Sequence, residues 1–137
     1  MCLVKLQDIG KDYQTGDNVI SPLINLNLEI NDNDRLIIYG KSGSGKTTLL
    51  NILSTLEIPS NGSMIFAEKL IDSLSDKELS NLRLNDIGVV FQSHHLLEEF
   101  SLHENIILPG SIDHNLDKDF ANFLIKKLKI SDRKDHL

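Results

Sequence analysis

The chain has 137 residues, of which 40% are hydrophobic and 25% are charged, and its formal net charge at pH 7 is −6. This length fits one domain of ordinary size, and this balance is typical of a folded globular protein. The acidic charge argues against a general nucleic-acid binder, and the single cysteine, Cys2, excludes an internal disulfide or a cysteine-based metal site. Charged residues interrupt the N-terminal stretch too soon for it to be a signal peptide. No apolar run approaches the roughly 18 residues of a membrane span. We therefore expect a cytoplasmic protein, or one that reaches a membrane only through a partner.

The first stretch of the chain alternates apolar and polar residues. Residues 24–30 alternate strictly and residues 3–9 more loosely, which predicts two half-exposed antiparallel strands with a turn at residues 16–18 between them. Residues 36–39 are continuously apolar and predict a fully buried strand, and a helix is expected from about residue 45 to residue 56.

The most informative motif, G-x-x-x-x-G-K-[ST], lies between that buried strand and that helix. It consists of Gly40, Lys41, Ser42, Gly43, Ser44, Gly45, Lys46 and Thr47, and Thr48 follows it in the helix. Its glycines let the backbone approach phosphate oxygens closely, and the N–H groups of the loop and of the helix start form an anion nest. Lys46 is expected to contact the β- and γ-phosphates of a nucleoside triphosphate, and the Thr47 hydroxyl to bind Mg²⁺. The alternative is a Gly/Ser-rich linker, which the flanking strand and helix disfavour.

The remainder of the chain predicts further alternating elements. A turn at residues 59–62 precedes a short strand at residues 63–66. Two capping boxes, each with a serine three residues before a glutamate, predict helix starts near Ser75 and Ser101. The first helix is expected to run to about residue 84, and the second to be stopped by Pro109-Gly110.

Two more elements complete the prediction. Residues 87–91 predict another buried strand, which ends on Gln92, and residues 117–129 predict an amphipathic helix. The apolar residues at helical spacing are Leu116, Phe120, Phe123, Leu124 and Leu128. Because strands and helices alternate, the sequence indicates an α/β fold with a partly parallel sheet.

Three features in this order resemble the ATP-binding subunits of ABC transporters. Tyr13 comes shortly after the first predicted strand, where that family has an aromatic residue that stacks on adenine. The P-loop follows, and residues 88–92 resemble the family's strand that ends in the Q-loop glutamine, here Gln92. The resemblance implies that Gln92 is a catalytic residue that approaches Mg²⁺ and the attacking water, so that Thr47 and Gln92 are the candidate metal ligands. It also implies ATP and Mg²⁺ as cofactors and a P-loop NTPase fold, with a RecA-like core and an N-terminal antiparallel β-subdomain.

The segment after Gln92 makes the resemblance more specific. Residues 92–97, followed by Phe100 and by residues 104–109, are similar to the ATPases of bacterial lipoprotein-releasing systems. This implies a head-to-tail dimer of ATP-binding subunits, transmembrane permease subunits as partners, and a peripheral position on the cytoplasmic face of the inner membrane. The transported substrate is not implied, because substrate contacts belong to the membrane partner.

The sequence departs from the family pattern in two places. Asn33-Asp34 replaces the usual Gly-Glu before the P-loop strand, a change that we expect to be harmless. The 137 residues also contain no LSGGQ signature, no strand of four apolar residues that ends in Asp-Glu, and no later switch histidine. The resemblance therefore covers the N-terminal part of an incomplete ABC ATPase domain, as expected of a fragment or a truncated gene product.

This incompleteness has an expected structural consequence. We assign residues 1–91 to the N-terminal part of the ATPase core with the P-loop, and residues 92–137 to the Q-loop and the start of the helical subdomain. In the family's sheet, other strands lie between the P-loop strand and the Q-loop strand. Without them, backbone groups are expected to stay unpaired and apolar side chains uncovered.

Two functions of different classes follow from these features. The chain is either part of the ATPase motor of a lipoprotein-release complex, or a nucleotide-binding fragment without turnover, because the family's catalytic glutamate has no counterpart here. A P-loop kinase is a third hypothesis, which the placement of Tyr13 and Gln92 disfavours.

A cluster of polar side chains follows the Q-loop glutamine. His94, His95 and His103 suggest a metal site, but ligand spacing and cysteine ligands are missing. Glu98 and Glu99 suggest an acid/base pair. We instead expect residues 94–105 to form a surface that docks the membrane partner.

Overall fold

The computed structural model describes residues 2–93, 95–112 and 117–136. The chain divides into two compact units, of which the first ends at Gly88 and the second begins at Val89. The first unit contains a four-stranded sheet of order β2-β1-β3-β4, in which every pair of neighbours is antiparallel. Its strands are β1 (Cys2–Thr15), β2 (Asn18–Asn31), β3 (Asn61–Phe66) and β4 (Lys69–Leu70).

Helices complete both units. The first unit has α1 (Lys46–Leu53), a 3₁₀ turn (Ile71–Ser73) and α2 (Asp76–Asp86). The second has α3 (Leu102–Ile112), α4 (Lys118–Lys127) and a 3₁₀ turn (Ser131–Arg133). Within the described parts of the chain, we find no helix that combines the length and the apolar character needed to span a bilayer.

β1 and β2 form a long hairpin, as the alternation predicts. Thr15 pairs with Asn18 across a two-residue turn, where Gly16 has a φ of 60° that a glycine adopts without strain. Both strands extend well beyond the predicted ranges. The antiparallel β-subdomain and its turn are therefore confirmed.

A bulge in β2 changes the predicted phase of its alternation. The pattern predicts Ile24 on the core face, but this side chain is 72% exposed, whereas Leu23 is buried. Between Leu26 and Leu23, β2 has two residues where the paired stretch of β1 has one. Asn25 accommodates the extra residue with a φ of 49°. The bulge thus turns Ile24 outward and Leu23 into the core.

The core of the first unit lies between the sheet and its helices. α1 contributes Leu49 and Ile52, and α2 contributes Leu79 and Leu82. The most deeply buried side chains are those of Leu6, Ile9, Ile52, Met64 and Ile71. This core fixes α1, and with it the start of that helix, against the sheet.

The two predicted buried strands are not strands in the structure. Residues 36–39 and 87–91 form no strand, and Tyr39 and Val90 are 90% and 99% exposed. The predicted partly parallel sheet is therefore wrong for the described residues, whose strand pairs are all antiparallel. A continuous apolar run becomes a buried strand only where neighbours pair with its backbone and cover both faces. The exposed Tyr39 and Val90 agree with the expectation of uncovered apolar side chains, whereas Ile38 and Ile87 pack against the core.

The capping boxes place both helix starts correctly. Ser75 Oγ accepts from the Glu78 N–H and the Glu78 carboxylate accepts from the Ser75 N–H at 2.8 Å, and α2 then runs to residue 86. The predicted stop at Pro109 is wrong, because α3 continues to Ile112. A proline removes only one helical N–H, and the Ser111 hydroxyl donates to a carbonyl one turn back at 2.9 Å.

α4 is helical as predicted, but the side of the helix that is buried differs from the predicted apolar side. Asp117 caps the helix by accepting from the Phe120 N–H at 2.9 Å. The buried residues are Ala121 and Ile125. The predicted apolar residues Phe120, Phe123, Leu124 and Leu128 are exposed, and Leu116 lies outside the described residues. The helix carries two adjacent apolar stripes, and spacing alone does not indicate which of them is covered.

Candidate nucleotide-binding site

The P-loop forms an irregular turn that leads directly into α1. Gly43 and Gly45 have φ values of 79° and 84°, in the left-handed region that favours glycine. A Cβ on Gly45 would lie 2.6 Å from the carbonyl oxygen of Pro22 in β2. A Cβ on Gly40 would lie 2.7 Å from the Ser44 hydroxyl oxygen. The loop therefore packs its backbone closely against β2 and against itself, which requires glycine.

We expect Gly45→Ala to lower the free energy of unfolding by roughly 1–3 kcal/mol, because it forces a left-handed φ and a contact with a backbone oxygen. Gly88→Ala is the matched control, since a Cβ there meets nothing within 4 Å, and its effect should stay within about 0.5 kcal/mol. Thermal or urea unfolding followed by circular dichroism measures both. Equal stability of the two variants would contradict the described loop geometry.

The first turn of α1 offers backbone donors to an anion. The N-cap residue Gly45 provides no side-chain cap, and the turn contains no acidic residue. The first N–H that pairs within the helix is that of Leu49, which donates to the Gly45 carbonyl at 2.9 Å. The preceding N–H groups, of Lys46, Thr47 and Thr48, have no acceptor inside the helix. Together with the positive end of the helix dipole, they suit a phosphate.

The Lys46 ammonium lies against the loop itself. Its Nζ donates to the carbonyl oxygens of Gly40 at 2.9 Å and Lys41 at 2.7 Å. These partners are neutral, so no carboxylate holds the charge in these contacts. Anionic phosphate oxygens form stronger, charge-assisted hydrogen bonds with an ammonium than carbonyls do. The P-loop residues therefore fit a nucleoside triphosphate.

The remaining P-loop residues are Ser42, Ser44 and Thr47. The Ser44 N–H donates to the Lys41 carbonyl at 3.3 Å, which closes a turn inside the motif. Ser42 and Thr47 are exposed. The Thr47 hydroxyl is a hard oxygen donor of the kind that Mg²⁺ prefers, and its role as a metal ligand remains a prediction.

The structure places Tyr13 beside α1. Its hydroxyl donates to Glu57 Oε2 at 2.5 Å and lies 3.4 Å from Thr48 Oγ1. Tyr13 belongs to β1 rather than following it. The fold thus brings the predicted base platform next to Thr48, which directly follows the P-loop, while the stacking of Tyr13 on adenine remains a prediction.

Glu57 is the residue of this region that the sequence analysis missed. The hydrogen bond from Tyr13 holds the pKa of the Glu57 carboxyl below its usual value and raises the pKa of the Tyr13 phenol. Asn51 Nδ2 donates to Glu57 Oε1 at 2.7 Å, and Lys11 Nζ lies 3.6 Å from Glu57 Oε2. A lone carboxylate between Leu56 and Ile58, just after α1, is the only signal in the sequence.

The predicted Q-loop residue belongs to the second unit. Gln92 is exposed, and its catalytic and metal-binding roles remain predictions. The neighbouring Phe91 ring meets the His95 ring edge-to-face, with centroids 4.4 Å apart. His94 lies outside the described residues. The side chains that the structure does describe form no cluster of three or more histidine, cysteine or acidic residues able to hold a metal ion.

A largely apolar cavity of about 610 Å³ lies within the second unit. Its lining includes Leu96, Leu97, Glu98, Phe100, Leu102, Asn105, Arg133 and His136. Asn105 organises one wall, because its Nδ2 donates to the Leu97 and Phe100 carbonyls at 3.0 and 2.9 Å and its Oδ1 accepts from the Leu97 N–H at 2.9 Å. Leu96, Leu97 and Phe100 are exposed, as predicted.

The comparison with known proteins identifies the family. The model of a family described as ABC transporter matches residues 23–137, which include the P-loop and Gln92. The chain belongs to the ABC transporter family. This ABC chain is 39% identical over 139 residues to the lipoprotein-releasing system ATP-binding protein LolD of Desulfotalea psychrophila, and 35% identical over 134 residues to LolD of Buchnera aphidicola. These alignments cover 99% and 96% of the ABC chain but only 62% and 59% of the relatives.

Solved structures show the same fold. The ATP-binding cassette MJ0796, in a dimeric post-hydrolysis state bound to ADP and Pi, superposes with a TM-score of 0.87 at 31% identity. A second dimeric structure of this bacterial ABC transporter cassette gives 0.86 at 30% identity. Each comparison covers 98% of this ABC chain and 61% of the other chain. The predicted ABC ATPase fold, present as part of a domain with its N-terminal β-subdomain, is confirmed.

Proposed function

We propose that this chain binds Mg-ATP and belongs to the ATP-binding subunit of a bacterial ABC complex that releases lipoproteins from the inner membrane. The observation that carries the proposal is the uncapped start of α1. There, glycines in left-handed conformations lead into backbone donors without an acceptor inside the helix, and the Lys46 ammonium donates to neutral carbonyls of the loop. Such a site suits the phosphates of a nucleotide. The lipoprotein-release role is supported by the similarity to the LolD proteins.

Each candidate residue has a role in this proposal. The loop amides and Lys46 hold the phosphates, and the Tyr13 ring supports the base. Thr47 and Gln92 provide oxygen ligands for Mg²⁺, and Gln92 also orients the attacking water. Charge stabilisation by preorganised donors is the main catalytic device in phosphoryl transfer, because such donors need no rearrangement during the reaction.

The proposed partners follow from the same family. A second ATP-binding subunit pairs head to tail with this one. The dimeric MJ0796 structures support the presence of a second subunit. Transmembrane permease subunits dock on residues 94–105. This arrangement places the protein at the cytoplasmic face of the inner membrane, where it is attached through its partners.

A second candidate function is nucleotide binding without turnover. It is favoured by the absence of an Asp-Glu pair and of an LSGGQ sequence from the 137 residues. The two candidates agree on ATP binding and differ in whether this chain by itself hydrolyses ATP.

We expect the 137-residue chain to bind ATP and to hydrolyse none above background, because a positioned base contributes about 10²–10⁴ to the rate. Phosphate release from Mg-ATP measures this, with Lys46→Ala as the blank and a fluorescent-ATP titration to establish binding. Turnover of about one per second that disappears in Lys46→Ala would contradict the expectation. Glu98 and Glu99 would then be the first residues to test as the base.

A further inference from the structure

A half-buried network of hydrogen bonds connects Tyr13 to α1, the helix that carries the P-loop donors. The Tyr13 hydroxyl donates to Glu57 Oε2, and Asn51, inside α1, donates to Glu57 Oε1. The backbone adds to this link, since the N–H groups of Leu56 and Glu57 both donate to the Asn51 carbonyl, at 2.8 and 3.1 Å. The Glu57 carboxylate is thus fixed to α1 by its side chain and by its backbone.

This network determines what Tyr13 can offer to a ligand. A phenol has one proton, and the short contact commits it to an ionised carboxylate, which forms a strong hydrogen bond. Tyr13 therefore has no hydroxyl proton left for a ligand. The ring faces are what remains for binding.

Lys11 occupies one side of the ring. Its Nζ lies 5.4 Å from the Tyr13 ring centroid and donates to the Ile58 carbonyl at 2.8 Å. The ammonium also lies near Glu57, so the charges of Lys11 and Glu57 compensate each other. A cation over one face of an aromatic ring is attracted by the ring quadrupole, so the opposite face is the candidate surface for a flat ligand.

We propose that Glu57 is a positioning residue that fixes the Tyr13 ring, relative to the phosphate nest of α1, as a platform for the base of the nucleotide. This inference rests on the proposed ATP-binding function. A positioning role of Glu57 differs from a purely structural role in its expected effect on binding. If Glu57 positions the Tyr13 ring, removing the carboxylate should weaken the binding of the base and leave the binding of the phosphates unchanged.

The test compares two probes on the 137-residue chain by isothermal titration. Mg-ATP contacts both the base platform and the phosphate nest, whereas inorganic tripolyphosphate with Mg²⁺ contacts the nest alone. Glu57→Ala leaves the stacking ring in place and removes only its anchor, so we expect it to weaken ATP binding by about 5- to 30-fold, which is the lower part of the range for losing a stacked base. Tripolyphosphate affinity should change by less than about twofold. Glu57→Gln should show a smaller loss for ATP, because the amide still accepts from the phenol.

Matched variants keep the test interpretable. Glu29→Gln removes a carboxylate that pairs with Lys5 on the sheet surface and should leave both affinities unchanged. Tyr13→Phe keeps the ring but loses the hydrogen bond that anchors it, and it should weaken ATP binding to a degree similar to Glu57→Ala. If Glu57→Ala does not fold, Glu57→Gln and Tyr13→Phe decide the outcome.

A spectroscopic measurement tests the contact itself. The chain has two tyrosines, so a Tyr39→Phe background leaves Tyr13 as the only phenol. Ionisation followed by absorbance near 295 nm should then have a lower midpoint in Glu57→Gln than with Glu57 present, because the carboxylate raises the pKa of the Tyr13 phenol. An unchanged midpoint would overturn the proposed contact.

The outcomes separate this inference from the function on which it rests. Equal losses of ATP and tripolyphosphate binding in Glu57→Ala would show a structural role and overturn the inference. Unchanged ATP binding in Glu57→Ala would overturn it as well, and the ATP-binding function would stand. If the unmodified chain binds neither probe, the proposed function itself is wrong, and the inference is wrong with it.

Discussion

Lys46→Ala is expected to weaken Mg-ATP binding by about 30- to 1,000-fold, which corresponds to roughly 2–4 kcal/mol. The Lys46 ammonium is a charged donor that the structure places against the P-loop carbonyls of Gly40 and Lys41. Alanine removes this charge and leaves the neutral backbone donors of α1 in place. Part of the affinity should therefore remain.

Titration with a fluorescent ATP analogue measures this loss. Lys77→Ala, which removes an exposed lysine from the first turn of α2, is the control and should bind like the unmodified chain. Circular dichroism establishes that both variants keep the fold. Equal affinity of Lys46→Ala and Lys77→Ala would contradict the assignment of the P-loop.

Charge substitutions at Leu97 and Phe100 are expected to abolish assembly with the proposed membrane partner while ATP binding persists. Both side chains are exposed and line the apolar cavity of the second unit. Placing an aspartate in an apolar interface leaves a charge buried without a partner, which costs several kcal/mol and reduces complex formation by more than about 100-fold. Asn105 holds the backbone of this segment in place, so the surface is preformed.

Co-purification of a protein that contains this chain with the proposed permease subunits measures the effect of Leu97→Asp and Phe100→Asp. Val19→Asp, at the exposed tip of the β1–β2 hairpin, is the matched control and should assemble normally. Unchanged co-purification of both test variants, with ATP binding intact, would show that residues 94–105 are not the docking surface.

Local patterns predicted the parts of the structure that depend on neighbours in the sequence. The P-loop, the turn at Gly16 and the capping box at Ser75 each specify their own hydrogen bonds or φ values within a few residues. The hairpin strands follow from alternation, which one face of a sheet imposes directly. The predictions of these features are correct because the chain needs no distant partner to form them.

Apart from the helix stop predicted at Pro109, the errors lie where distant contacts decide the outcome. The apolar runs at residues 36–39 and 87–91 carry the composition of buried strands, but a strand needs paired neighbours that composition does not provide. The bulge at Asn25 depends on the register with β1. Glu57 meets Tyr13 from 44 positions away in the chain, and a single carboxylate carries no periodic signal that could predict such a contact.

The most direct test of Mg-ATP binding at the P-loop is a proton–nitrogen correlation spectrum of the labelled 137-residue chain, titrated with Mg-ATP. We predict that the largest amide shifts occur at residues 43–48, with a smaller set around Tyr13, and that Lys46→Ala strongly reduces both sets. An unchanged spectrum at millimolar Mg-ATP, or shifts confined to the second unit, would contradict the nucleotide-binding account.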